Sequence, residues 1–131
     1  MNADLNNFKR PELTDKIIRA FYDVYNTLGY GFLERVYVNA LSIELDKNNI
    51  PWKLQHPITV HYDGKVVGEY FADLVIDNRI IVEVKAVKSL LPDHEAQLLN
   101  YLKATNIEVG LLLNFGPKAE FKRKVFENSR K

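Results

Sequence analysis

The sequence predicts an α/β protein in which a mixed sheet of four to five strands is flanked by helices. Three observations carry that expectation. Apolar residues recur at helical spacing through the first third of the chain, they switch to alternation from Pro57 onward, and a further helical pattern then leads into an apolar run at 109–115. One mixed α/β layer structure of order ααβββ(β)αβ, closed by a short C-terminal helix, accounts for all three.

Taken in order, Ile17, Ile18, Phe21, Val24, Tyr25 and Leu28 share one helical stripe. Thr14 is expected to cap that helix, Leu13 to staple onto Ile18, and Gly29 with Gly31 to end it. Leu33, Val36, Tyr37, Ala40, Leu41 and Leu45 mark a second helix that stops at Asn48-Asn49, ahead of Pro51, completing a helical pair over residues 14–49. Ile58, Val60 and Tyr62 then alternate with Thr59 and His61, Asp63-Gly64 marks a turn, and Val66-Val67 opens the next strand. Residues 70–77 and 80–87 read as two more extended runs around Asp77-Asn78-Arg79. Pro92 suits the first turn of a helix carrying Leu98, Leu99 and Leu102, which leaves 57–115 as the sheet and helix core and 116–131 as a basic C-terminal segment. With no repeat or long linker, the 131 residues are expected to form a single domain.

Composition narrows the function classes. The chain has no cysteine, which excludes disulfides and thiolate metal sites, and His56, His61 and His94 lack zinc-ligand spacing. No apolar run approaches a membrane span and the N-terminus lacks a signal-peptide core, so a cytoplasmic location without membrane association is expected. The net charge is +1, yet residues 116–131 carry six basic side chains against two acidic ones, leaving the rest of the chain net acidic. Such a basic run can touch phosphates or simply form a solvated helix face. Gly29-Tyr30-Gly31 is no phosphate-binding fingerprint, because no strand precedes it, and Trp52 beside Pro51 reads as a loop anchor.

The segment Ile80-Ile81-Val82-Glu83-Val84-Lys85-Ala86-Val87 is the chemical anomaly, an apolar strand holding two opposite charges. Alternation puts Glu83 and Lys85 on one face, roughly 7 Å apart. Burying them is costly unless they pair or serve a site. The preceding strand places Asp73 among apolar neighbours too. A three-residue turn, Asp77-Asn78-Arg79, would pair Ile76 with Ile80 and bring Asp73 opposite Glu83, whereas a two-residue turn would send Asp73 to the other face. Adjacent carboxylates need a proton or a cation between them, and a hard divalent ion such as Mg²⁺ suits an oxygen cluster of this kind. Lys85 then stands where it can orient or activate a water.

Ala72-Asp73 followed by Val82-Glu83-Val84-Lys85 resembles the PD-(D/E)XK nuclease motif, with Ala72 in place of the proline. Gly31-Phe32-Leu33-Glu34-Arg35-Val36-Tyr37 is similar to the signature of the GxxExxY proteins, a branch of that superfamily, and Gln97-Leu98-Leu99-Asn100-Tyr101 to the Q-x-x-x-Y motif of its exonuclease-like members. The resemblance implies a restriction-endonuclease-like core. It further implies that Asp73, Glu83 and the Val84 main-chain carbonyl hold Mg²⁺, or Mn²⁺ as a substitute, with Glu34 near the metal. Lys85 would position the attacking water, and Gln97, Tyr101 and Tyr37 would brace the site or touch substrate. Helical spacing alone puts His94 on the Gln97/Tyr101 face one turn earlier.

The implied function is metal-dependent hydrolysis of phosphodiester bonds in nucleic acid, DNA ahead of RNA, by in-line attack of water. Two other readings compete. One is a noncatalytic nucleic-acid-binding or assembly module on the same fold, and the other a structural protein in which Glu83 pairs with Lys85. At 15.2 kDa the chain offers little surface for a duplex, which leaves room for a homodimer or a recruiting protein partner.

Overall fold

The apolar stripe from Ile17 to Leu28 lies on the first helix of the computed structural model, α1 (Pro11–Leu28); the structure describes residues 11–131. It is followed by α2 (Glu34–Lys47), β1 (Trp52–Tyr62), β2 (Lys65–Ile76), β3 (Ile80–Lys85), α3 (Pro92–Lys103), β4 (Val109–Phe115), β5 (Ala119–Val125) and a 3₁₀ turn at Asn128–Arg130. Thr14 is not the cap: it lies inside α1, buried, because the helix already runs from Pro11. α2 ends as expected, with Asn48 at the C-cap and Asn49 at φ +57°.

The five strands lie in the order β1-β2-β3-β4-β5, with β3 and β4 parallel and every other pair antiparallel. Val66-Val67 and residues 70–76 belong to one long strand, so the optional fourth strand of the expectation merges into β2. The additional strand comes from the basic segment instead. Residues 119–125 pair with β4 from Val109–Val125 to Phe115–Ala119, and the helical element at the C-terminus is a single 3₁₀ turn. Hydrogen bonding to the open flank of β4 is what draws this charged stretch into the sheet.

Apart from Glu83, Lys85 and Asn114, β3 and β4 are apolar on both faces because both faces are covered. Ile80, Val82, Val84, Leu111 and Leu113 pack against α1 and α2, while Ile81 and Leu112 pack with Leu98 and Leu102 of α3. Gly110 lets α3 approach the sheet: a Cβ there would lie 2.7 Å from Leu98 Cδ1. Trp52, where β1 begins, packs on the helical-pair core and donates its indole N–H to Asp46 Oδ1 at 2.7 Å, the anchoring expected of it. No helix among the described residues is long and apolar enough to cross a membrane.

The regular pleat of β2 breaks at Asp73. Ala72 packs on the α3 side of the sheet but Leu74 on the other, so the strand rolls about its axis between them. Across from it, the β1–β2 register passes from Leu54–Leu74 to His56–Ala72 and omits Gln55 and Asp73, and Gln55 has a φ of +51°.

Gly110→Ala is expected to destabilise the protein by about 1–3 kcal/mol, the usual cost of overpacking a filled core. Urea denaturation measures it, and an unchanged midpoint would show that α3 is not seated as tightly as this contact requires.

Candidate functional site

The turn between β2 and β3 sets the geometry of the site. Asp77 and Asn78 adopt φ values of +53° and +55°, a left-handed conformation that Asp and Asn tolerate better than most residues. Arg79 N–H closes the turn on the Ile76 carbonyl at 3.0 Å, and Ile76 pairs with Ile80. The odd-length loop thus produces the expected register as far as Leu74 opposite Val82.

One residue further along, side chains replace the ladder. Asp73 N–H donates to Glu83 Oε2 at 2.9 Å, and Val84 N–H donates to Asp73 Oδ2 at 2.8 Å. Each acid therefore accepts from the other's strand and keeps its second oxygen outside these bonds. Burial, then the neighbouring Asp73 charge, push the Glu83 carboxyl up to about 8; Glu34 adds in the same direction from further away. Asp73 is also raised by burial, against the opposing pull of the Val84 N–H and of Lys85.

Lys85 is half-buried and makes no ion pair among the described residues, so the simple Glu83–Lys85 pair is not what holds the strand. Its charge nonetheless reaches both carboxylates. No group of three or more His, Cys, Asp or Glu side chains is preassembled for a metal among the described residues. The pair still fits a hard divalent ion, which commonly takes one or two protein carboxylates and keeps waters elsewhere. Two crowded acids with free oxygens are stabilised by such a charge.

The Gly31/Glu34/Tyr37 spacing has a local physical reading. Gly31 sits at φ +111°, where a side chain would be strained, and the chain turns there into α2. Glu34 is the exposed first residue of that helix, near enough to be felt at Glu83. Tyr37 is fully buried and stacked on Phe115 at 4.1 Å; its hydroxyl donates to the Gly29 carbonyl at 2.7 Å and accepts the Phe32 N–H at 3.2 Å. Tyr37 is a clasp on the loop that carries Glu34, and it is set in the core rather than beside the carboxylates.

On α3, Gln97 donates to the Tyr101 hydroxyl at 3.1 Å. Burial first, then the Glu83 and Asp73 charges, push the Tyr101 phenol up to about 12, which places it in the field of the site. His94 does not join this face as expected. Its Nδ1 accepts the Leu91 N–H at 3.0 Å, closing the free N-terminal turn of α3.

Asn114 is a residue that motif reasoning passes over. It is fully buried, opposite Lys85 in the parallel ladder. Its Oδ1 accepts the Val87 N–H and its Nδ2 donates to the Val87 carbonyl, both at 2.9 Å, so its amide extends the pairing past the end of β3. Nδ2 also reaches Glu120 Oε1 at 3.2 Å, and that oxygen accepts the Leu90 N–H at 3.3 Å. A polar side chain within an apolar run was the available signal, the same one that exposes Glu83.

These contacts have measurable effects on stability. A carboxyl with a raised folded-state pKa binds its proton more tightly when folded, so its contribution is complete below the ordinary value of 4.5 and is lost as pH climbs toward about 8. The Tm of the metal-free protein should therefore fall from about pH 5 to about pH 8 and Glu83→Gln should flatten the slope, whereas parallel wild-type and variant profiles would refute the assignment. Tyr37→Phe, which keeps the stack and removes the clasp, is expected to cost about 1 kcal/mol in chemical denaturation.

A sequence comparison with curated proteins gives no match. Among solved structures, the crystal structure of SSO0001 superposes with a TM-score of 0.56 at 24% identity, over 71% of this chain and 50% of that one. That likeness concerns the fold, and this chain spans half the length of that protein. The model of the PD-(D/E)XK nuclease superfamily matches residues 11–124, from the start of α1 almost to the end of β5. A match of that extent, on a five-stranded mixed sheet whose charged strand has the expected partners, makes this protein a member of the PD-(D/E)XK nuclease superfamily with a restriction-endonuclease-like core.

Proposed function

We propose that this protein is a metal-dependent nuclease of the GxxExxY branch, hydrolysing phosphodiester bonds of nucleic acid, DNA ahead of RNA, by in-line attack of water. The observation that carries the reading is the exchange of bonds between Asp73 and Glu83, which holds two carboxylates together beside Lys85. Asp73, Glu83 and the Val84 carbonyl would hold Mg²⁺, with Mn²⁺ as a substitute and Glu34 as a more distant acid. A divalent ion bound there supplies positive charge for a phosphoryl oxygen and lowers the proton affinity of a water.

The protein's own groups do the remaining work. The Val84 N–H holds Asp73 in place, and a strand residue projects its C=O on the same side as its N–H, toward the gap in the ladder. Lys85, carrying no ion pair among the described residues, is available to orient a water for attack in line with the leaving oxygen. Tyr101 accepts from Gln97 and so retains its own O–H proton to offer a phosphate oxygen.

The alternative is a noncatalytic nucleic-acid-binding or assembly module on this fold. In its favour stands the lack of a preassembled three-residue ligand group among the described residues.

A cleavage assay on single- and double-stranded DNA and RNA with Mg²⁺ or Mn²⁺ decides between them. Wild type is expected to cut only with metal, and Glu83→Ala and Lys85→Ala are each expected to lose about a hundredfold or more. Activity that survives both substitutions would remove the site assignment, and binding without cleavage of any substrate would favour the module.

A further inference from the structure

A groove of about 810 Å³ runs between the β1–β2 hairpin and α3, and neither Asp73 nor Glu83 lines it. Thr59, Gly68 and Tyr70 line one wall, and Gln97, Asn100 and Tyr101 the other. Tyr70 is 49% exposed, and its ring lies 5.8 Å from the Tyr101 ring, centroid to centroid, at an angle of 42°. Tyr101 connects the groove to the site: it packs in one cluster with Ala72, the neighbour of Asp73, and the Glu83 and Asp73 charges act on its phenol.

The chemistry of the walls selects the occupant. Lys103 and Asp93 are opposite charges in an otherwise largely neutral lining, so the groove is no trough for a row of phosphates. It offers an accessible aromatic face and side-chain amides, which suit a flat, hydrogen-bonding ring. Its volume falls in the range of small-ligand pockets and is too small for a double helix. Gly68 borders that ring: a Cβ there would make an ordinary 3.4 Å contact with Tyr70 Cε2, so a longer side chain would cover the ring face, and its backbone is outside the left-handed region that would itself demand glycine.

We propose that this groove receives unpaired bases of the strand being cut, with one base stacked on Tyr70, so that the substrate is single-stranded or locally unpaired next to the scissile phosphate. The proposal rests on the nuclease reading and gives it a substrate class. Stacking on an aromatic side chain is sequence-tolerant and contributes strongly to single-strand affinity.

Fluorescence anisotropy with labelled oligonucleotides in EDTA tests it without cleavage. A single strand, or a duplex with a single-stranded overhang, is expected to bind at least about tenfold more tightly than a blunt duplex. Tyr70→Ala and Gly68→Leu should each weaken single-strand binding by about tenfold, and Tyr70→Phe should retain it. Calorimetric titration with Mn²⁺ should give wild-type affinity for Gly68→Leu, separating the groove from the metal site. Equal affinity for single strand and blunt duplex would overturn the proposal, as would undiminished single-strand binding in both Tyr70→Ala and Gly68→Leu, or no binding of any oligonucleotide. Failure of the nuclease reading would show separately, as missing hydrolysis of strands that still bind.

Discussion

Between Leu74 and Asp73 the antiparallel ladder that joins β2 to β3 gives way to side chains, and two carboxylates take the places that backbone carbonyls would have filled. The exchange satisfies the Asp73 and Val84 N–H groups, so the strands can part without orphaning buried donors. It also forces together two acids that repel each other in a poorly solvated place, and the pKa of Glu83 records the cost. The rest of the fold keeps that crowded arrangement from relaxing. Helices cover both faces of β3, Tyr37 fastens the approach to Glu34, and Asn114 with Glu120 ties down the segment after Lys85.

The order of these constraints explains why the site lies at one end of β3 and not along its middle. From Ile80 to Val82 the strand pairs on both sides and is wholly buried. Past Val82 only β4 continues the backbone ladder, and on the β2 side the Asp73 and Glu83 side chains take over the pairing. The roll of β2 at Asp73 turns its N–H toward Glu83, and Gln55 permits the roll by leaving the β1 register at the same level. A fully regular sheet would have shielded the acids from any substrate.

Where physical signals were local, the sequence was readable. The count of three residues in the Asp77–Arg79 turn sets the register, and charges in an apolar run marked β3. Pro92 marked the start of α3, and the i, i+4 spacing of Gln97 and Tyr101 placed them in contact. What escaped depends on partners distant in sequence. Residues 119–125 alternate too little to announce a strand, and only the flank of β4 makes them one. His94 shares a helical stripe with Gln97, but an unpaired N–H at Leu91 claims its ring. No propensity scale announces the left-handed Gln55, which tertiary context imposes. The groove is likewise a product of packing, since Tyr70 and Tyr101 meet only when the hairpin is placed over α3.

Among the described residues, the open five-stranded sheet leaves two outer strands with unpaired backbone groups, which ordinarily invite another chain to add a strand. Both outer strands here discourage it. β1 is broken by Gln55, lacks a donor at Pro57 and shifts register at Val60/His61, while β5 carries Lys122, Arg123 and Lys124 in succession. Self-association through a continued sheet is therefore disfavoured on either side. Two copies of this protein that meet must do so through side chains, among which the hairpin exposes the hydrophobic Leu54, Tyr62, Val66, Val67, Tyr70 and Phe71.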